Sequence, residues 1–203
     1  LFVHTPAYRS ATGTVPGEFS VLDITDCLLS TLASYDATAT FFVVSEIAEQ
    51  HPEQIERIAE AGHEIASHTH THRLLTELTQ PERHRELQES REILTSVSGQ
   101  PVTGFRAPAF DIPETHFEEL KAAGYAYDSS IAPCRAIPGW YGGEDTADQP
   151  TTASEIRPGA TSEFPVVPVS VMPGLRLPLT GAWTRLLGRR YLEMGLRWLD
   201  RRG

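Results

Sequence analysis

The sequence predicts an α/β fold of repeated strand–helix units with parallel strands, and three observations predict it. Short apolar runs alternate with helix-length connections, and those connections open near prolines and stop at glycines. His68, Arg106 and Asp128 each fall where an apolar run ends. Sites in parallel sheets and barrels gather beyond the carboxyl ends of the strands, where loops of several units meet. Loops of this kind are polar in any case, which is the plainer account of the same coincidence.

Residues 1 to 20 hold Pro6, Gly13, Pro16 and Gly17 with little periodicity and read as loop. Asp23 and Asp26 read as helix-start residues for a short amphipathic helix through Leu28, Leu29 and Leu32, ending near Tyr35. Thr38 to Val44, TATFFVV, is β-branched, aromatic and nearly continuous in apolar character, as a strand covered on both faces should be. Pro52 suits the first turn of a helix with Ile55, Ile58 and Ala59 on one side, and Gly62 suits its stop. Glu64 to Ser67 follows as a strand.

Pro81 opens a helix through Leu87, Leu94 and Val97 that Gly99 ends, and Val102 to Phe105 is a strand delivering Arg106. Pro113 opens another, with Phe117 and Leu120, that Gly124 ends, and Tyr125 to Tyr127 is a strand delivering Asp128. Pro133 to Glu163 is rich in Gly, Pro, Thr and Asp and reads as a long loop carrying Trp140 and Tyr141, which either form a platform for sugar rings or pin the loop. Phe164 to Val171 alternates apolar residues with prolines and reads as an irregular or edge strand. Pro173 to Gly181 turns the chain, and Trp183 to Trp198 is the last amphipathic helix.

Gly62 to His72, GHEIASHTHTH, holds four of the eight histidines. His68 and His72 are spaced to reach one metal ion from a tight turn or first helical turn. On a regular strand, His68, His70 and His72 would instead share one face, and the spacing alone does not choose. Short His-rich tracts are themselves a metal-binding signal.

SHTHTH at 67–72, FRAPAF at 105–110 and YDSSIAP at 127–133, in that order, resemble the polysaccharide deacetylases, the NodB homology domain of carbohydrate esterase family 4. ATATFFVV, AGHEIASH, GFRAPAFDI, AGYAYDSSIAP and the later EFPVVPVS look closest to the exosortase-associated branch. The resemblance covers most of residues 20 to 200. It implies a distorted (β/α) barrel that removes N-acetyl groups from a polysaccharide with a divalent metal, held by one Asp and two His.

Carried over residue by residue, the resemblance makes His68 and His72 metal ligands and Thr69 the hydroxyl that steadies their turn, and gives His70 no role. Arg106 matches the arginine that orients the catalytic aspartate, Pro108 its motif's proline, and the backbone N–H of Ala109 the oxyanion donor. Asp128 and Ser129 match the motif after the next strand, with a groove or supporting role. Phe110, Trp140 and Trp183 are further candidates for substrate contact. The resemblance also implies a first motif, Asp-Asp or Asp-x-Glu, upstream of Leu1, and a last motif, Leu-x-His, downstream of Gly203. Residues 1–203 are therefore expected to be a single catalytic domain lacking its first and last strands, weak or inactive as a segment. Zinc suits the imidazole ligands, with cobalt, nickel and manganese open.

Other classes compete. A catalytically dead carbohydrate-binding domain would keep Trp140, Tyr141 and Trp183 as stacking surfaces and bind glycan without metal. A structural protein would use HTHTH as a polar turn. A formal charge of −10 over 203 residues argues against a nucleic-acid partner, which needs a concentrated basic surface. The one basic cluster, Arg185 to Arg202, interleaves with Leu186, Leu187, Leu192, Leu196 and Leu199 and reads as a solvated helix face. No apolar run approaches the ~20 residues of a membrane span. The chain reads as soluble as given, and its compartment stays open between cytoplasm and cell envelope. Cys27 and Cys134 are too few for a disulfide scaffold.

Overall fold

The structure is a computed structural model that describes residues 24–135, 148–157, 163–172 and 174–201. The chain forms two compact units, Leu1–Tyr127 and Asp128–Gly203.

In the first unit, α1 (Thr25–Ser34) leads into β1 (Thr40–Val43), which runs parallel to β2 (Glu64–Ser67) with Thr40 opposite Glu64 and Val43 opposite Ser67. β2 in turn runs parallel to β3 (Gly104–Phe105) through Ser67 and Phe105. The backbone N–H groups of Ala126 and Tyr127, where β4 (Tyr127–Asp128) begins, reach the Thr103 carbonyl at 2.8 and 3.3 Å. The parallel strands and intervening helices bear out the α/β expectation.

Burial rises along β1, from exposed Thr40 through half-buried Phe41 and Phe42 to Val43 at 0% exposure. The strand is thus covered at its carboxyl end rather than on both faces throughout. Residues 45–60 carry two helices where one was expected: α2 (Ser45–Gln50) and α3 (Pro52–Glu60). His51 separates them at φ −138, ψ 56, because a residue before proline is pushed out of the helical region. α3 stops as expected, with Gly62 at φ +82 donating its N–H to Ala59 O.

α4 (Gln80–Ser98) is the long element of this unit. A capping box joins Thr79 and Glu82 at its start, and left-handed Gly99 (φ 68) closes its end. α5 (His116–Ala122) begins later than Pro113 suggested, because the Pro113 carbonyl is first used in a turn to His116 N. Arg83 of α4 grips Glu119 of α5 with two hydrogen bonds, at 2.8 and 2.7 Å. Phe105, Leu87, Leu94, Phe117 and Leu120 fill the core beneath. Tyr125 is buried with them and donates its hydroxyl proton to Leu87 O at 2.8 Å. Tyr125→Phe leaves that carbonyl short of a partner, so we expect a loss of about 1 kcal/mol, read as a lower urea midpoint at unchanged slope.

In the second unit, Asp128 pairs in parallel with Val166 of β6 (Pro165–Val166), and β5 (Thr151–Thr152) pairs with β6 antiparallel. β6 is therefore flanked on both sides, not an edge. The segment from Pro133 to Glu163 is not all loop, since it contains β5 and the short α6 (Ala153–Ile156). β7 (Val171–Met172) and β8 (Leu177–Pro178) make an antiparallel hairpin over the predicted turn.

The single helix expected over 183–198 is two, α7 (Gly181–Leu187) and α8 (Arg189–Asp200), broken by Gly188 at φ 81, ψ 174. Not all the leucines lie on the packed face: Leu186 is 73% and Leu196 52% exposed, while Leu192 and Leu199 are half-buried beside the buried Tyr191 and Gly195. Tyr191 donates to the carbonyls of Leu177 and Pro178, and a Cβ at Gly195 would lie 2.5 Å from Leu179 Cδ2. Among the described residues no helix is long and apolar enough to cross a membrane. Cys27 and Cys134 are both free, the first exposed and the second buried.

Candidate metal centre

The chain leaves β2 at Ser67 and turns at once. Thr69 takes φ 66 and His72 φ 63, left-handed values that end any strand continuation and settle the choice the spacing left open. His68, His70 and His72 do not share a face. His68 and His72 bring their rings to 5.0 Å between centroids, edge to face at 70°. His70 turns elsewhere, its Nδ1 2.9 Å from Ser45 Oγ and its Nε2 3.9 Å from Glu89.

The turn is held from within by Thr69, which is wholly buried. Its hydroxyl donates to His68 O at 2.6 Å and accepts from His72 N at 3.1 Å. Its carbonyl accepts from Ser45 N at 3.1 Å and from Ser90 Oγ at 3.1 Å. His68 N donates to Val43 O at 2.8 Å, fixing the start of the turn against β1.

His68 Nδ1 lies 2.6 Å from the Arg106 carbonyl. A carbonyl can only accept, so Nδ1 carries the proton and Nε2 keeps its lone pair. Burial, then the neighbouring His72 and Arg106, pushes the His68 pKa down to about 3, against the pull of that hydrogen bond. Burial also lowers His72. Both imidazoles are neutral at pH 7, the form that binds metal.

Two imidazoles held on one tetrahedral ion at ~2.0–2.1 Å would have centroids about 5 Å apart. The observed pair fits that requirement. Among the described residues no group of three or more His, Cys, Asp or Glu converges, so this pair is the candidate that the described residues offer.

Arg106 follows β3 and donates its N–H to Ser67 O at 2.9 Å, while its guanidinium carbon sits 4.1 Å from the centre of the Phe42 ring. Beyond it Pro108 is buried, and Ala109 (φ 52, ψ 16) and Phe110 (φ 60) take left-handed backbone in succession. Phe110 N donates to Ala107 O and Asp111 N to Pro108 O, a tight double turn that leaves Ala109 exposed. Consecutive left-handed residues without glycine cost of order 1 kcal/mol each and are kept where the surroundings enforce them.

The polysaccharide deacetylase family model matches residues 18–127, more than half of the chain. The chain belongs to the polysaccharide deacetylase family. A peptidoglycan-N-acetylglucosamine deacetylase of Bacillus cereus is 32% identical over 97 residues, 48% of this chain and 35% of that protein. A chitooligosaccharide deacetylase of Rhizobium leguminosarum is 37% identical over 73 residues, 36% of this chain and 34% of that protein. The chain thus spans about a third of the length of these curated relatives. A solved Mycobacterium smegmatis structure, assigned by its description to the polysaccharide deacetylases, superposes with a TM-score of 0.64 at 27% identity. It covers 83% of this chain and 52% of that one.

Within this chain, the first unit brings His68, His72 and the Arg106 loop together, and the Thr69 hydroxyl bridges His68 O and His72 N across the turn. The other candidates lie in the second unit. Asp128 is wholly buried, its carboxylate accepting from Ser130 N at 2.9 Å and Ser130 Oγ at 2.5 Å. Ser129 donates to Val167 O at 2.9 Å. Trp183 is half-buried, and its buried Nε1 has no hydrogen-bond partner among the described residues. Trp140 and Tyr141 lie outside the described residues.

Sequence reasoning missed the supports beneath the histidine turn. Glu86, 8% exposed on α4, accepts from His70 N and Thr71 N, both at 2.9 Å, and from Thr71 Oγ1 at 2.5 Å. Asp111 accepts from Thr76 N and Oγ1, tying the Ala109 loop to the segment after the histidines. A signal for Glu86 was available. It lies four residues before Ser90 and next to Leu87 on the stripe that Leu94 continues, where a carboxylate must be buried and paired.

Proposed function

We propose that this chain is part of a metal-dependent hydrolase that removes N-acetyl groups from a polysaccharide, with His68 and His72 as ligands of a divalent ion. The observation that carries the reading is the neutral, converging imidazole pair, with His68 Nδ1–H committed to the Arg106 carbonyl. Two nitrogen donors suit zinc, and cobalt, nickel and manganese share the preference to lesser degrees. When bound, such an ion supplies Lewis acidity toward the acetamide carbonyl.

The chain's own residues do the rest of what is proposed here. Ala109, exposed on its left-handed turn, offers its backbone N–H to the carbonyl oxygen as negative charge develops there. Arg106 contributes a fixed positive charge that orients the catalytic carboxylate. Pro108 and Phe110 shape the sugar-facing turn, with Asp128, Ser129, Trp140 and Trp183 assigned supporting or groove roles. The B. cereus and R. leguminosarum relatives support an N-acetylated glycan as substrate. The stretches ATATFFVV and GFRAPAFDI support placing the chain near the exosortase-associated branch.

The test is acetate release from N-acetylated oligosaccharides by the full-length protein, beside its His68→Ala, His72→Ala double variant. Loss of at least about a thousandfold in rate, roughly 4 kcal/mol of transition-state stabilisation, is expected. Glycan binding that survives both the double variant and a chelator, with no acetate released by either protein, would replace the hydrolase with a carbohydrate-binding domain.

A further inference from the structure

The buried carboxylate under the histidine turn has no part in the chemistry proposed above. Its three hydrogen bonds all end on the two residues between the histidine ligands' flanks, at His70 N, Thr71 N and Thr71 Oγ1. None ends on an imidazole. The turn above it is unfavourable in itself, since Thr69 and His72 are both left-handed without being glycine. Residues 70 and 71 lie between those two strained positions. Something must hold them there, and a carboxylate accepting two adjacent backbone N–H groups does so with charge-assisted bonds.

We propose that Glu86 is a positioning residue that sets the separation of His68 and His72, and through it the metal affinity of the pair. This rests on the metal-site reading above. Glu86 and Ser90 are one helical turn apart on α4, and they grip opposite sides of the turn: Ser90 holds Thr69 O and Ser67 Oγ, Glu86 holds residues 70 and 71. α4 is therefore the template for the turn. With Glu86 gone, the Thr69 hydroxyl bond to His72 N still closes the loop locally, and His70 keeps its contacts to Glu46 N, Ser45 Oγ and Glu89, but the backbone N–H groups of residues 70 and 71 lose their acceptor on α4. The ring pair then loses its separation rather than its existence.

The experiment is zinc titration by calorimetry on the full-length protein, wild type beside Glu86→Ala, Glu86→Gln and His68→Ala, with circular dichroism confirming that each is folded. Glu86→Ala should weaken zinc binding about tenfold or more, the usual range for groups that orient metal ligands. Glu86→Gln should restore binding to within about threefold of wild type, because its carbonyl still accepts both backbone protons and its amide can donate to Thr71. A merely structural role would lower the melting temperature of all folded Glu86 variants and leave their zinc affinity alone. If Glu86→Ala does not fold, Thr71→Val removes one bond of the three and should weaken zinc about threefold. Folded Glu86→Ala, or Thr71→Val in its place, with wild-type affinity while His68→Ala is weakened overturns the positioning role alone. Equal binding by wild type and His68→Ala overturns the metal-site reading, and the proposal with it.

Discussion

Metal-free protein taken from pH 7 to pH 4 is expected to lose up to about 3 kcal/mol of stability through His68 alone. Burial, reinforced by His72 and Arg106, holds this imidazole down from 6.5 to about 3 in the folded chain. The unfolded chain takes up a proton near pH 6.5 that the folded chain refuses. The stability contributed by the group is therefore complete above pH 6.5 and is lost as pH falls through the window down to about 3. His72, lowered by burial, adds to the same trend. Other groups titrate in this range, Glu119 beside Arg83 among them, so the comparison is with His68→Ala. Urea midpoints measured in chelator should fall more steeply with acid for wild type than for the variant. Parallel slopes would mean that His68 is protonated in the folded chain as easily as in water.

Gly104→Ala should be the most damaging conservative change in the first unit, at about 2–3 kcal/mol. Gly104 is buried in β3, and a Cβ there would lie 2.3 Å from Tyr127 Cζ and Oη. The ring cannot simply swing aside. Its hydroxyl donates to Glu64 Oε1 at 2.9 Å, and the other oxygen of that carboxylate accepts from Thr40 Oγ1 at 2.5 Å. Moving Tyr127 thus disturbs a chain of bonds across β1 and β2. In a Tyr127→Ala background these three close contacts are gone, and the same substitution should cost less than about 1 kcal/mol. Chemical denaturation of the four proteins gives the coupling. An equal cost in both backgrounds would show that the methyl clashes with something other than the ring.

Much of the first unit was legible because local signals agree with one another there. Pro52, Gly62, Pro81, Gly99 and Gly124 mark ends that a sequence announces by itself. The failures have equally local causes. The short helix Ser45–Gln50, closed by His51 before Pro52, carried no signal of its own, and Gly188 cut the last helix in two after Leu187. Leu186, Leu187 and Leu196 misled because side-chain periodicity says that a face exists, not that the chain covers all of it.

The site was legible at His68 and His72, but the choice between strand and turn depended on Thr69 and His72 adopting left-handed backbone, which no pattern of residue types announces. The role of Glu86 depended on α4 crossing beneath residues 69 to 71, a long-range fact. Asp111 was passed over for the same reason, since its partner Thr76 lies 35 positions away.

His68 takes its orientation from the main chain at residue 106, through a carbonyl that all twenty amino acids possess. The ring's aim therefore does not depend on which side chain stands at 106, and the guanidinium adds only its charge, which helps keep the imidazole neutral. A change of side chain there leaves that carbonyl in place and alters only the charge beside the ring. A lineage that gives up the arginine keeps a correctly aimed histidine, and reversion needs to restore a single side chain.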